Sequence, residues 1–124
     1  MKILSIDCSA GPASVAVSED GKILASSFVN VKLTHSQTLM PMIENTLSAA
    51  LLNFGDIEGI AVNHGPGSFT GIRIGIAAAK GLAAPRGLPC VGVSTLLSIL
   101  MLISHKLLLK VLYQLIYQPF IGFR

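Results

Sequence analysis

Two stretches of the chain carry residue types that could hold a ligand. Asp7 and Ser9 close an apolar segment at the start of the sequence, and residues 65–71 read GPGSFTG between a predicted strand and a predicted helix. Backbone N–H groups and the helix dipole at such a junction can bind an anion. The candidate contact residues are Asp7, Ser9, Gly65, Gly67, Ser68 and Thr70.

The glycine spacing does not fit the common nucleotide or nucleophile motifs. The glycines at 65, 67 and 71 are one residue off the dinucleotide fingerprint, and Lys80 lacks the flanking residues of a phosphate-binding P-loop. Ser68 is flanked by Pro66 and Thr70, so it is not a nucleophile elbow. A tight structural turn built on Gly65 and Gly67 is the competing interpretation.

No residue set suggests a metal site or a catalytic group. The histidines at 35, 64 and 105 share no ligand spacing with one another or with the two cysteines, Cys8 and Cys90. The cysteines lie in apolar, strand-like contexts, and no secretory signal opens the chain, which favours the cytoplasm.

The helix after the glycine loop is poor in large side chains. Each interior glycine costs about 1 kcal/mol relative to alanine, so close approach of another backbone should compensate. Packing within the chain and packing against a partner helix both remain open at this point. If a partner helix is met, the candidate interface residues on this helix and on the preceding amphipathic helix are Leu39, Met42, Ile43, Gly71, Ile72, Gly75, Ala78 and Ala79.

The elements that position these residues follow from hydrophobic periodicity. Residues 2–7, 14–18 and 22–29 read as an antiparallel strand meander, and a helix from a Ser36 or Thr38 cap to Leu51 places Pro41 in its first turn. A strand at 57–63, a helix at 72–84 and a strand at 90–93 follow. The order β-β-β-α-β-α-β predicts an α/β, ribonuclease-H-like (actin-like) half domain.

Composition excludes some partners. Residues 1–100 contain six basic and six acidic side chains, so no continuous basic surface is expected to bind nucleic acid directly. Residues 87–104 are uncharged, but Pro89 to Val93 reads as a buried strand, so no membrane span is expected.

The composition and the hydrophobic periodicity of the sequence change near residue 97. Residues 98–124 lack acidic side chains and turn signals and have no clear period, although a helix from Ser98 to Tyr117 is compatible with them. We therefore expect an N-terminal subdomain at 1–97 and a divergent tail at 98–124 that is truncated or translated from another reading frame.

Three segments resemble the TsaB (YeaZ) family: ILSIDCS at the start, THSQTLMPMIENTL in the first helix, and HGPGSFTGIRIGIAAAKGLA at 64–83. The resemblance covers roughly residues 1–97 and implies an actin-like half domain. In that fold Asp7 lies where a metal-linked acid and the first phosphate loop are found, but the loop here is short of glycine. The family's second subdomain has no counterpart in residues 98–124.

The resemblance implies a role in tRNA modification. A TsaB-like chain is a non-catalytic dimerisation subunit that works with a TsaD-like paralogous catalytic subunit and a TsaE-like ATPase. Together they add a threonylcarbamoyl group to N6 of the adenosine beside the anticodon in tRNAs that read ANN codons. The chain is then expected to form a homodimer when alone, to meet tRNA only through the complex, and to have no cofactor of its own, with ATP as the one alternative. Competing hypotheses are an independent phosphotransferase or protease, and an inert fragment.

Overall fold

A computed structural model describes residues 1–10, 12–30 and 35–94 of the chain. Residues 95–124, with the whole predicted tail, lie outside the described residues. The described elements, in chain order, are β1 (Lys2–Asp7), β2 (Ala13–Glu19), β3 (Lys22–Val29), α1 (His35–Ala49), β4 (Gly59–Gly65), α2 (Phe69–Ala83) and β5 (Cys90–Ser94). Short 3-10 turns at Phe54–Asp56 and Ala84–Arg86 follow α1 and α2.

The five strands form one mixed sheet in the order β3-β2-β1-β4-β5. β1 pairs antiparallel with β2, and β2 with β3, whereas β1, β4 and β5 are parallel. The parallel pairing brings the carboxyl ends of β1 and β4 to one edge of the sheet, with Ile6 opposite Val62. The predicted element order and the ribonuclease-H-like fold are confirmed.

Several element boundaries differ from the sequence prediction. β4 begins at Gly59 rather than Ile57, because the Ile57 N–H still donates to the Phe54 carbonyl oxygen of the preceding turn. α2 begins at Phe69, since Ser68 caps it three residues earlier than expected. Pro41 does not lie in a first turn, because α1 already begins at His35; the exposed proline occupies the second turn.

Both helices pack on the same face of the sheet. The alternating strand residues that point to this face include Leu4, Ile6, Val15 and Val17, and they meet Leu39 and the rest of the apolar side of α1. Alternation along each strand fixes this arrangement, because a shift of one residue would turn the apolar set to the other face. Thr46 is buried in this core, where its hydroxyl bonds to the Ser27 hydroxyl at 2.7 Å.

Arg86 stabilises the loop that connects α1 to β4. Its guanidinium donates hydrogen bonds to the carbonyl oxygens of Phe54 (2.7 Å), Gly55 (3.0 Å) and Ile57 (2.8 Å). The same group lies 5.5 Å from the centre of the Phe54 ring. One side chain therefore satisfies three carbonyls of an irregular segment and holds the start of β4 beside the end of α2.

The C-terminus of α1 is capped without a glycine. Leu52 N donates to Leu47 O at 2.9 Å and Leu51 N to Ser48 O at 3.0 Å, the paired hydrogen bonds of a Schellman motif. Leu51 takes the left-handed position of that motif with φ 59°, and its side chain is 93% exposed. The turn after α2 has the same pattern, but Gly87 occupies the left-handed position with φ 62°.

Leu51→Gly should raise the free energy of unfolding by about 1 kcal/mol, because it relieves the left-handed backbone cost and removes no packing. Gly87→Ala is the matched control. A Cβ there meets nothing within 4 Å, so only the backbone cost changes and stability should fall by roughly the same amount. Urea unfolding followed by circular dichroism measures both, and a destabilised Leu51→Gly would contradict the account.

Candidate functional site

The predicted loop residues assemble at the carboxyl ends of β1 and β4. Asp7 ends β1, Ser9 follows it, and residues 65–68 connect β4 to α2. Side chains at the carboxyl ends of parallel strands are where α/β folds place ligands. This loop therefore lies where a ligand site would be expected, and its contacts decide whether its polar groups are directed at a ligand or at the chain itself.

Asp7 and Ser9 bind each other. The Asp7 carboxylate oxygen Oδ1 accepts hydrogen bonds from the Ser9 backbone N–H (2.8 Å) and from the Ser9 hydroxyl (2.6 Å). Ser9 is buried, with 4% of its surface exposed. One carboxylate oxygen is thus used to turn the chain at the end of β1.

The glycine loop is fastened to the same turn. Ser68 N donates to the Ser9 carbonyl oxygen at 2.7 Å. A Cβ added at Gly67 would lie 2.2 Å from that oxygen, so only glycine permits the approach. Gly65 has φ 106°, its N–H donates to Asn63 Oδ1 at 2.9 Å, and the Gly65–Pro66 peptide is cis.

The start of α2 uses its own capping groups. The Ser68 hydroxyl accepts from Gly71 N at 3.3 Å, and Ser68 O accepts from Ile72 N at 2.9 Å. Thr70 is exposed and has no role in this turn that the structure records. The Ser68 N–H is engaged by the Ser9 carbonyl oxygen, so this donor is not available to an anion.

Five of the six predicted loop residues, all except Thr70, take part in this turn, and the hydrogen bonds among them join Asp7 to Ser9 and Ser9 to Ser68. The structural turn, which was the competing interpretation, describes the local geometry. Within residues 1–10, 12–30 and 35–94, no three acidic, histidine or cysteine side chains gather closely enough to hold a metal ion.

The predicted interface residues face mainly inward. Leu39, Met42, Ile43, Gly71, Gly75 and Ala79 are buried within this chain, and only Ile72 and Ala78 are partly exposed. A buried side chain has almost no surface to offer a partner, so this choice of residues needs correction. We call Gly71, Gly75 and Ala79 the small stripe of α2. These buried residues pack on the chain's own sheet.

Gly75 shows why the stripe faces inward. A Cβ at this position would lie 3.5 Å from Val62 Cγ2 and 3.6 Å from Cys8 Cβ, which is ordinary contact distance. Alanine therefore fits, whereas leucine would overpack the helix-sheet boundary and destabilise the fold. Helix-sheet packing thus compensates for the glycine that the sequence singled out.

The sequence prediction missed the exposed side of the same helices. Phe69 is 73% exposed and Met40 is 40% exposed, while Arg73 and Ala77 lie on the outer side of α2. The available signal was the four-residue spacing of Phe69, Arg73 and Ala77, which runs parallel to the small stripe. The prediction assigned the small residues to the partner interface, although they lie where α2 comes closest to the sheet of the same chain.

A second feature not predicted from the sequence is a groove of about 300 Å³ on the sheet face opposite the helices. Strand register aligns one row of side chains across it: Phe28, Ser14, Asp7, Asn63 and Val93. This row crosses all five strands, and it places hydroxyl, carboxylate and amide groups between two apolar ends.

Burial raises the pKa of both cysteine thiols. Burial first, and the neighbouring Asp7 carboxylate second, raise the pKa of the Cys8 thiol to about 11 from 9.0. Burial also raises the pKa of Cys90, although Lys80 opposes this shift. Neither thiol is activated as a nucleophile, because nucleophilic cysteines have lowered pKa values.

Comparison with known proteins gives a consistent set of relatives. The family model "TsaD: tRNA N6-adenosine threonylcarbamoyltransferase" matches residues 23–109. The chain is 43% identical over 98 residues to the tRNA threonylcarbamoyladenosine biosynthesis protein TsaB of Escherichia coli (strain K12), covering 79% of this chain and 42% of that protein. It is 32% identical over 109 residues to the tRNA N6-adenosine threonylcarbamoyltransferase of Pelobacter propionicus, covering 75% of this chain and 32% of that protein.

A solved structure supports the same assignment. YeaZ from Pseudomonas aeruginosa superimposes with a TM-score of 0.70 at 34% identity, covering 75% of this chain and 43% of that one. The chain thus spans less than half the length of these relatives.

Gly67→Ala should lower the free energy of unfolding by more than about 2 kcal/mol, since the new methyl group meets a backbone oxygen that cannot move without breaking the Ser68–Ser9 hydrogen bond. Gly81→Ala is the control on exposed helix surface, where a Cβ meets nothing within 4 Å, and it should stabilise the fold by about 1 kcal/mol. Equal effects in thermal unfolding would contradict the close approach.

The Cys8 thiol gives a pH test. In a Cys90→Ser background, iodoacetamide should label folded Cys8 at pH 8 about 100-fold more slowly than the urea-unfolded chain, because a pKa near 11 leaves less thiolate than a pKa of 9.0. Since the folded pKa is raised, the contribution of Cys8 to stability should be constant below about pH 9 and should be lost as pH rises towards 11. Equal labelling rates would show that Cys8 is not protected.

Proposed function

The chain belongs to the TsaD/TsaB (YeaZ) family, and from that premise we propose that it is a non-catalytic scaffold subunit for tRNA modification. The modification is the addition of a threonylcarbamoyl group to N6 of the adenosine beside the anticodon in tRNAs that read ANN codons. The name of the Escherichia coli TsaB relative supports the pathway.

One observation carries the scaffold role. At the edge of the sheet where a ligand is expected, the polar groups of Asp7, Ser9 and Ser68 bind one another. A catalytic or phosphate-binding site needs such groups directed at a substrate. The same contacts hold α2 rigidly on the sheet, which suits a subunit whose task is to present a helical surface.

The proposed partners follow from the family. They are a TsaD-like paralogous catalytic subunit, a TsaE-like ATPase, and tRNA held through the assembled complex. Without them the chain forms a homodimer. A location in the cytoplasm agrees with this role, and no helix among the described residues is long and apolar enough to cross a membrane.

We place the pairing surface on the exposed sides of α1 and α2. This pairing face consists of Met40 and Glu44 on α1 and Phe69, Arg73 and Ala77 on α2. Homologous subunits that share a helix pair on one side of a sheet can meet face to face, and exposed aromatic, methionine and arginine side chains are typical of interface centres. The buried residues predicted from the sequence support these helices from beneath.

The other functions raised by the sequence have no specific support among the described residues. A phosphotransferase needs a phosphate cradle, and the loop is closed by the Ser68–Ser9 contact. A protease needs an activated nucleophile, and Ser68 caps its own helix. An inert fragment is separated from a working subunit by the pairing experiment.

Light scattering on a sizing column, with the chain mixed with the TsaD-like protein of the same organism, should show a one-to-one complex that replaces a homodimer. Met40→Glu should weaken that complex about tenfold or more, because it buries a charge at the pairing face. Phe28→Glu is the matched control, an apolar-to-acid change at a 68% exposed residue on the far edge strand, and should leave pairing unchanged.

A folded chain that forms no complex would favour the inert fragment. Equal weakening by the two variants, with folding verified by circular dichroism, would place the interface elsewhere.

A further inference from the structure

The sheet face opposite α1 and α2, here called the outer sheet face, is exposed at one edge and buried at the other. On β3, Phe28 is 68% exposed and Ser26 is exposed as well. On β5, Val91 is 4% exposed and Val93 is 6% exposed, and Ala61 on the neighbouring β4 is 3% exposed. β3 and β5 are both edge strands, so their position in the sheet does not explain the difference.

The described elements do not account for the buried edge. α1 packs on the opposite face of the sheet, and so does α2. Ala61, Val91 and Val93 form a cluster of their own, and among the described residues Met1 and Ile3 are packed against it. Ile3 lies on β1, which β4 separates from β5. The exposed fractions are those of one copy of the chain, so a second copy does not supply the cover.

The chain beyond β5 continues directly from this buried edge. β5 ends at Ser94, and the sequence runs on to Arg124. Residues 95–97 span about 10 Å when extended, which is enough to turn from β5 onto the outer sheet face. A helix over residues 98–117 would be about 30 Å long, whereas the sheet measures about 20 Å from β5 to β3 at its usual strand spacing.

The sequence of residues 98–117 suits an apolar surface. The segment has no acidic residue, and most of its side chains are aliphatic or aromatic. Its leucines show no clear period, but Lys106, Lys110 and Gln114 recur every four residues and predict one polar stripe on a helix. The opposite side of that helix is apolar: Met101, Leu108, Leu112 and Leu115.

We propose that residues 98–117, the covering segment, form a helix that packs its apolar side on the β4–β5 half of the outer sheet face, against Ala61, Val91 and Val93. The β2–β3 half, with Phe28, stays open and borders the groove. The covering segment is then part of the same folded unit as the sheet. This inference does not depend on the pairing role, which uses the other side of the sheet.

The covering segment is favoured over the other stretches outside the described residues. Residues 31–34 connect β3 to α1 and so belong to the exposed edge, and residue 11 is a single position between β1 and β2. The small side chains of Ala61 on β4 and Ser5 on β1 also leave room for a helix to approach the sheet closely.

Thiol labelling of the full chain, in a Cys90→Ser background, tests the cover. The thiol introduced by Val93→Cys should react with iodoacetamide about tenfold or more slowly than that introduced by Phe28→Cys, because a buried thiol reacts only after local opening. Leu108→Asp places a charge on the apolar side of the covering segment and should bring the two rates together. Lys110→Asp, on the polar stripe, is the matched control and should leave them apart.

Cys8 distinguishes a lifted cover from general unfolding. It is 1% exposed and lies on the other side of the sheet, beneath Gly75 of α2, so its labelling should stay slow in Leu108→Asp. If Leu108→Asp unfolds the whole chain, the milder Leu108→Ser decides. That variant should speed labelling at Val93→Cys about threefold or more while Cys8 stays protected, because local opening precedes global unfolding.

The expected pattern should hold at every protein concentration. Equal labelling of Val93→Cys and Phe28→Cys without a change at Leu108 would show that nothing covers the β5 edge. Protection that survives both Leu108 variants would assign the cover to another segment, and protection lost on dilution would assign it to a second copy. Release of Cys8 together with the introduced thiol in Leu108→Ser would contradict a cover confined to one face. Each of these results would overturn the proposal.

Discussion

The carbonyl oxygen of Ser9 is the point on which the arrangement of the sheet and α2 depends. It accepts the Ser68 N–H at 2.7 Å, and Gly67 lies so close to it that no Cβ fits between them. This contact joins the end of β1 to the start of α2 and sets where the helix begins. Once the first turn is fixed, Gly75 and Ala79 fall against the sheet and Phe69 and Arg73 fall outside.

That constraint also links structure to function. The Ser68 N–H and one Asp7 carboxylate oxygen are used in making the joint, and the scaffold role proposed above rests on that use. A rigid helix pair on one side of the sheet is what remains available for function. The family assignment and the internal hydrogen bonding thus lead to the same proposal, a subunit that positions another protein rather than a substrate.

Local patterns predicted most of the fold, and the errors have physical reasons. Alternation and helical periodicity gave the order of strands and helices, because both patterns are strong in short segments. The orientation of α2 was wrong for residues such as Gly75, since a stripe of small residues is compatible with packing on the chain's own sheet or on a partner. Only the distances to Val62 and Cys8 separate those cases. The sheet-face groove depends on strand register, which adjacent residues do not encode, and Leu51 in a left-handed position runs against its own propensity.

The most direct test of the scaffold account is reconstituted tRNA threonylcarbamoylation, with this chain supplied alone, with the TsaD-like protein, and with the complete set of partners. Modified adenosine is measured by mass spectrometry of digested tRNA. The account predicts no product from the chain alone, and product from the complete set only when the chain is included. Product formed by the chain without a TsaD-like protein would contradict the non-catalytic role, and full activity of the other components without the chain would contradict the scaffold role.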